Sequence, residues 1–355
     1  MKILHIVPSL GIGGVENVCI GLLNEQANNL ILDVNVLSQG SMLLDVNRIK
    51  LNNAINYNVI PKKNKKWFII DMLKLFLFIR RNNYDVVHTH GISFFYAAIA
   101  IIFLKIKFIH TIHNEPSKET QGIRKYINSF LFRYKKVKTV ILGQKLVNSF
   151  IDYYGFEPDM IIPNGVCINR ECINSNYVSH NKEVFSFISV GRFDKQKNFN
   201  RLLKSFKKLL DDGYNTSLSI YCSVNENDIE FQRFKEDIKN IPVSLYVNRV
   251  DLSQEYPRYN CFVLASDYEG LPLTILESIG YGIPIVSTDV GCISDVVTKD
   301  IGYICKPNSI ELYKSMKSII DNVDNFSKDN IREIYEKEYS LKIMSDRYVD
   351  SYGTE

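Results

Sequence analysis

The run Gly191-Arg192-Phe193-Asp194-Lys195-Gln196-Lys197-Asn198 follows a strand-like segment and leads into a helical pattern, so Arg192 and Lys197 flank one loop at a helix entrance. A guanidinium fork and an ammonium point charge held that close can reach the same diphosphate. The plainer alternative is a solvated charged turn. Further on, Ala265-Ser-Asp-Tyr-Glu269-Gly270-Leu271-Pro272-Leu273-Thr274-Ile-Leu-Glu277 follows the apolar run Cys261–Leu264. This order puts Glu269 in a strand-to-helix loop, Pro272 in the first helical turn and Glu277 about one turn further along. The positive end of such a helix suits a pyrophosphate, and carboxylates accept hydrogen bonds from sugar hydroxyls. Two carboxylates beside a phosphate need cations between them, which Arg192 and Lys197 supply. Near the N-terminus, Pro8-Ser-Leu-Gly11-Ile-Gly13-Gly14-Val-Glu16 is a glycine loop whose amides can approach a ligand closely, with a tight turn as its alternative. It fails the dinucleotide fingerprint G-x-G-x-x-G, which requires glycine where Glu16 stands.

Short β-rich runs alternating with helical segments must position these loops, the pattern of parallel sheets with crossover helices. Strands are predicted at Ile3–Val7, Leu32–Leu37, Asn56–Ile60, Val86–His90, Phe108–His113 and Thr139–Leu142. A second series is predicted at Val184–Val190, Leu218–Tyr221, Val243–Val247, Cys261–Leu264 and Ile285–Ser287, with a helix near Asn198–Leu210. The fold class is α/β with two doubly wound, Rossmann-like domains. The first domain is read as residues 1–165, a polar linker as 166–182 and the second domain as 183–335. Residues 336–355 read as a helix that packs back on the first domain.

With 355 residues, 46% hydrophobic and 23% charged, the chain is too long for one ordinary core and too apolar to be disordered. Its seven cysteines form no C-x-x-C pair, so zinc is not expected and a reducing, cytoplasmic setting is. Lys2–Val7 lacks the long apolar core of a signal peptide. Ile92–Leu104 falls short of the ~20 residues of a membrane span and is read as a buried helix. Net charge is +9 over residues 1–165 against −5 over residues 166–355. The basic residues gather at Lys62–Lys66, Arg80-Arg81 and Arg133–Lys138, the first of these just before the aromatic stretch Trp67–Ile79. That stretch is either a core helix behind a solvated basic loop or an amphipathic helix on the anionic inner face of a membrane. Peripheral attachment through it is the expectation, and no nucleic-acid partner is expected.

The G-G-x-E loop, the G-R-x-x-x-x-K loop and the E-x(7)-E element, in this order, resemble retaining glycosyltransferase family 4 with the GT-B fold. Pro163-Asn-Gly-Val166 and Gly282-Ile-Pro-Ile-Val-Ser-Thr-Asp-Val-Gly291 add to the likeness, which covers nearly the whole chain. Glu-Gly-Leu-Pro-Leu, His88-Thr-His90-Gly and His110-Thr-Ile-His113-Asn are most similar to bacterial capsular and exopolysaccharide members.

The resemblance implies that Glu277 holds a nucleotide ribose, Glu269 contacts the donor sugar, and Arg192 with Lys197 neutralises the diphosphate. Amides at Leu271, Pro272, Leu273 and Thr274 would lie against the same phosphates, within the limit that proline has no N–H. It further implies that Gly13 and Gly14 approach the donor, that His113 lies near the donor sugar, and that His90 and Glu16 face the acceptor. Asn248 and Cys292 depart from the family's glycines. The implied reaction is transfer from a nucleotide sugar, most readily a UDP-sugar, to a glycan or lipid-linked acceptor. No cofactor or metal is expected, because a cationic loop can replace a divalent ion. A GT-B nucleotide-sugar epimerase and a non-catalytic nucleotide-binding relative in an assembly complex are the alternatives.

Overall fold

The computed structural model describes the chain except residues 12, 42, 63–67, 135–136, 175–183, 250 and 354–355. The chain divides into an N-terminal unit, Met1–Val166 with the segment from Leu341, and a C-terminal unit, Cys167–Ser340.

In the N-terminal unit seven parallel strands are β1 (Lys2–Val7), β2 (Asp33–Ser38), β3 (Asn56–Val59), β4 (Val86–His90), β5 (Lys107–Thr111), β6 (Lys138–Ile141) and β7 (Met160–Ile161). Their order is β3-β2-β1-β4-β5-β6-β7, so the winding reverses between β1 and β4. Ile3, Leu4 and Ile6 are fully buried, so both faces of β1 are covered, and His5 is buried among them. The register pairs His5 with His88, Thr89 with His110 and His90 with Thr111. Side chains alternate across a strand, so His88 and His90 share one face of β4 while Thr89 faces the other.

The C-terminal unit holds β8 (Phe185–Arg192), β9 (Thr216–Ser223), β10 (Val243–Val247), β11 (Cys261–Leu264), β12 (Ile285–Thr288) and β13 (Gly302–Cys305), in the order β10-β9-β8-β11-β12-β13. Here the reversal falls between β8 and β11. In both units ligand space is therefore expected beyond the carboxyl ends of the strands on either side of the reversal.

Several expectations are revised. Ile92–Leu104 is two short helices, Ser93–Tyr96 and Ala98–Phe103, with Ile102 and Phe103 exposed at its end. Val166 to Lys182 is not wholly loose linker: Ile168 and Cys172 are buried and Glu171–Asn174 is helical, while residues 175–182 lie outside the described residues. β5 ends at Thr111, so His113 stands in the loop beyond it. Pro272 caps the helix Leu273–Gly280 from the position before it instead of sitting in its first turn. The terminal helix Leu341–Gly353 begins later than residue 336. It packs in the N-terminal unit against the helix Gly14–Ala27, where Leu341 lies over Gly21.

Among the described residues no helix is long and apolar enough to cross a membrane. The helix Phe68–Asn82 turns Met72, Leu75 and Ile79 inward, yet leaves Ile69, Ile70, Leu73 and Leu77 exposed. It is thus a core helix on one face and an apolar surface on the other. Lys63, Lys65, Lys66 and Trp67 of the basic, aromatic segment, and Lys135 and Lys136, lie outside the described residues.

Candidate active site

In the C-terminal unit the two loops flanking the strand reversal are joined by a dense polar network. β8 ends on Arg192, and the following loop runs to Asn198, whose side chain caps the helix Phe199–Asp211 by accepting from the Arg201 amide at 3.1 Å. Asn198 itself has φ +48°, a left-handed conformation that asparagine tolerates better than most residues. After β11, the loop carries Ser266, Asp267 and Glu269. Asp267 N–H donates to the Gln196 carbonyl at 2.8 Å, and Gln196 Nε2 returns a bond to the Tyr268 carbonyl at 2.9 Å.

Lys197 and Glu269 meet within this network. Lys197 Nζ lies 2.7 Å from Glu269 Oε1, with only 12% and 8% of the two side chains exposed. Glu269 also accepts from Ser266 Oγ at 2.7 Å and Gln196 Nε2 at 3.3 Å. The lysine stem crosses Gly191 so closely that a Cβ there would come 3.0 Å from three of its carbons. That is the local reason for glycine at this strand end. Ammonium has three N–H donors, so pairing with Glu269 leaves others for a ligand. Arg192 is different: its side chain is 65% exposed, and its polar contacts among the described residues are with Asp194, at 3.3 Å, and Gln196, at 3.3 Å.

Glu277 stands in the helix Leu273–Gly280 and accepts from the fully buried Tyr256 hydroxyl at 2.7 Å. Burial raises its pKa, and the hydrogen bond from Tyr256 works against that rise. At the head of the same helix, Thr274 Oγ1 is buried with no hydrogen-bond partner among the described residues. Leu271, Pro272 and Leu273 complete the turn into the helix.

The two departures from glycine are locally explained. Asn248 adopts φ +54°, as a glycine would, and its side chain clamps Val224 through both N–H and carbonyl, at 3.1 and 3.2 Å. Cys292 is fully buried, and its amide donates to the Gly270 carbonyl at 2.9 Å. Gly291, at φ +58°, has no room for a Cβ, which would stand 2.3 Å from the Glu269 carbonyl.

In the N-terminal unit, Gly13 has extended backbone, and a Cβ on it would strike the Glu16 carboxylate at 2.3 Å. Glu16 folds back over its own loop, where Ser9 Oγ lies 3.4 Å from it. Gly14, the first residue of the helix, has open space around it. The loop is fixed by two residues that pattern reading missed: buried Asp45 accepts from the Leu10 amide at 2.7 Å, and Asn47 donates to the Gly11 carbonyl at 2.6 Å.

His90 and His113 are brought together, Nδ1 to Nε2, at 3.0 Å. The loop after β5 is held by Glu119, whose Oε2 accepts from the amides of His113 and Asn114 at 2.8 and 3.2 Å. Burial pushes Glu119 up to about 7 and His113 down to about 4. In the C-terminal unit Arg201 was missed, though it binds the Ala265 carbonyl at 2.8 Å and Asp267 at 2.5 Å. Its position one helical turn after Lys197 is the signal that could have found it.

Two doubly wound sheets, with a charged network at the carboxyl edge of the second, define the GT-B class of glycosyltransferases. The profile described as Glycosyltransferase Family 4 matches residues 12–170, and that described as Glycosyl transferases group 1 matches residues 174–337. The chain belongs to the family 4 type of GT-B glycosyltransferases. An uncharacterized glycosyltransferase of Methanocaldococcus jannaschii is 26% identical over 61% of this chain, which spans 58% of that relative. The Escherichia coli protein named UDP-Gal:alpha-D-GlcNAc-diphosphoundecaprenol alpha-1,3-galactosyltransferase is 22% identical, over 99% of this chain and 96% of its own. Among solved structures, Anabaena HepE in complex with UDP superposes with a TM-score of 0.83 at 15% identity, over 99% of each chain. The epimerase and non-catalytic readings draw no support from these matches.

Proposed function

We propose that the chain moves a sugar from a UDP-sugar to a lipid-linked or glycan acceptor in bacterial surface polysaccharide synthesis, with retention of anomeric configuration. The observation that carries this reading is the placement of Arg192, Lys197 and Glu269 on the two loops at the strand reversal of one unit, with Glu277 on the helix that follows the second loop. In it, Arg192 and the spare donors of Lys197 receive the diphosphate together with the head of the helix Leu273–Gly280, where Thr274 Oγ1 lacks a partner among the described residues. Glu277 accepts from the ribose and Glu269 from the sugar. Stabilising the departing nucleoside diphosphate is the main catalytic task, and fixed cations and helix amides perform it without a metal. The acceptor attacks on the face the diphosphate leaves, and a leaving-group oxygen takes its proton. UDP in HepE supports the nucleotide, and the E. coli relative's name supports the acceptor class. The test is incubation with a panel of nucleotide sugars and a lipid diphosphate acceptor, with the anomeric product read by NMR. Donor hydrolysis or transfer from one UDP-sugar is expected, and inertness toward every donor would contradict the reading.

The acceptor class brings a membrane with it. Beside the exposed apolar face of the helix Phe68–Asn82 lies a groove of about 450 Å³, lined by Phe68, Met72, Phe95, Ile102, Tyr126 and Phe130. Lys62 lies 4.6 Å over the Tyr96 ring and Arg124 5.3 Å over that of Phe95, and their mutual repulsion helps burial to lower Lys62 to about 8. Two crowded cations beside an apolar surface complement anionic lipid, each worth about 1 kcal/mol near such a surface. Binding to anionic vesicles should fall in high salt, and equal binding to neutral and anionic vesicles would contradict attachment by charge.

A further inference from the structure

Five of the chain's six histidines, His5, His88, His90, His110 and His113, are buried in the N-terminal unit, and three of them form a single file. Gln26, fully buried on the helix Gly14–Ala27, donates through Nε2 to the Tyr352 hydroxyl at 3.2 Å, which leaves its Oε1 for His5 Nε2 at 2.8 Å. His5 therefore carries its proton on Nε2, and its bare Nδ1 accepts from His90 Nε2 at 3.1 Å. His90 then accepts at Nδ1 from His113 Nε2 at 3.0 Å. The file ends at His113 Nδ1, which is buried and has no hydrogen-bond partner among the described residues. Each neutral imidazole offers one donor and one acceptor, so one proton's position sets all the others.

A second branch agrees with this polarity. Tyr352 receives from Gln26 and gives its own proton to His88 Nδ1 at 2.8 Å, so His88 Nε2 donates to Thr111 Oγ1 at 2.8 Å. Turning the Gln26 amide over would reverse every bond in both branches. The file would then end in a buried N–H with no acceptor, a rarer condition in folded proteins than an under-satisfied acceptor. Burial keeps the rings neutral, with His5 and His113 both lowered to about 4.

A metal is the competing use of such a cluster, since atoms of His5, His88 and His90, and likewise of Cys19, His90 and His113, lie within 4.8 Å of one another, and in the first group His5 and His90 already share a proton. A metal needs both facing ring nitrogens bare and the thiol ionised. Here the nitrogens already share a proton, and burial pushes the Cys19 thiol up.

We propose that Gln26, acting through His5 and His90, is a positioning residue that holds His113 with a bare Nδ1, ready to accept a hydrogen bond from a substrate hydroxyl. The substrate in this statement rests on the transferase reading. The tautomer does not. His113 stands just past β5, which neighbours β4 at the strand reversal, so the residue lies at the sheet edge where ligand is expected. A neutral ring with a fixed lone pair orients a hydroxyl and does not exchange a proton with it.

The test uses the full chain labelled with ¹⁵N-histidine and reads ring nitrogens by NMR. His5, His90 and His113 should all be protonated at Nε2 only. Gln26→Leu should release His113 into a mixture of tautomers, and Gln26→Glu, which also presents an acceptor to His5, should restore the single form. With an active donor, Gln26→Leu should lower kcat about tenfold with nucleoside diphosphate affinity unchanged, and Gln26→Glu should recover most of it. A His113 proton on Nδ1 in the unaltered protein, an unchanged tautomer in a folded Gln26→Leu, or a transition metal bound one-to-one and lost in His90→Ala would overturn the proposal. The NMR needs no donor, so expected tautomers together with no transfer would contradict the transferase reading alone.

Discussion

Behind the carboxyl edge of the N-terminal sheet runs a buried network of uncharged groups, imidazoles, one amide and hydroxyls joined end to end, with the carboxyls of Asp45 and Glu119 bonded to loop amides beside it. At the same edge of the C-terminal sheet the network is charged and paired, Lys197 with buried Glu269 and Arg201 with the exposed Asp267. Under the proposed function, the difference follows the ligand assigned to each edge. A chain of neutral dipoles carries direction and can orient a hydroxyl, whereas a diphosphate needs fixed cations, and fixed cations need carboxylates to hold them when no ligand is bound.

Acid should separate the two units most strongly. Burial lowers His5 and His113 to about 4 and His110 to about 3, so the folded form stays unprotonated while the unfolded chain takes up protons below about 6.5. Each such histidine removes about 1.4 kcal/mol of stability per pH unit as pH falls through that window. Glu119 runs the other way: raised to about 7, it favours the folded state below its unfolded value and loses that contribution as pH rises through 7, offsetting one histidine. Hydrogen exchange by mass spectrometry, corrected for intrinsic rate, should show protection lost in N-terminal peptides between pH 6 and 5 while C-terminal peptides change little. Equal loss in both units would remove the contrast.

Next in size is Lys197→Ala, which strands a buried carboxylate and should destabilise the C-terminal unit by about 3 to 5 kcal/mol in urea unfolding. The double variant Lys197→Met with Glu269→Gln removes both charges and should regain most of that. A neutral effect of the single variant would mean that the pair is not buried in solution.

Smaller still, and directed at division of labour within the charged edge, is the comparison of Glu277→Gln with Glu269→Gln. Glu277→Gln should weaken free nucleotide and intact donor alike by about 1.5 to 3 kcal/mol, the worth of a charge-assisted hydrogen bond. Glu269→Gln should spare free nucleotide and lower turnover. Equal loss of free nucleotide in both variants would show that the roles are not divided.

The charged edge was largely legible in the sequence because its residues lie in two short segments, each just after a strand. Arg192, Lys197, Glu269 and Glu277 could be placed on loops and helix from apolar runs such as Cys261–Leu264, whose bounds the structure repeats. The histidine file was not. Gln26, His5, His90 and His113 are far apart in sequence, and only the parallel register of β1 against β4 and the loop after β5 aligns their rings. β7 is too short to show a period, and β13 opens on Gly302, where a Cβ would collide with Ile285 backbone at 1.8 Å. Glycine there is a packing requirement, and as a letter in the sequence it reads as a turn. Ile92–Leu104 misled in a different way, since continuous apolar character does not reveal a break at Ala97.

The central claim is that the C-terminal edge binds a diphosphate with protein cations. Calorimetric titration of UDP in EDTA, into the unaltered protein and into Arg192→Ala, tests it most directly. Arg192 is exposed and held at its tip, so its loss should leave thermal stability unchanged. UDP should bind without metal, about 10-fold or more weakly in Arg192→Ala at the same melting temperature. Binding that vanishes in EDTA and returns with magnesium, or equal affinity in the two proteins, would contradict it.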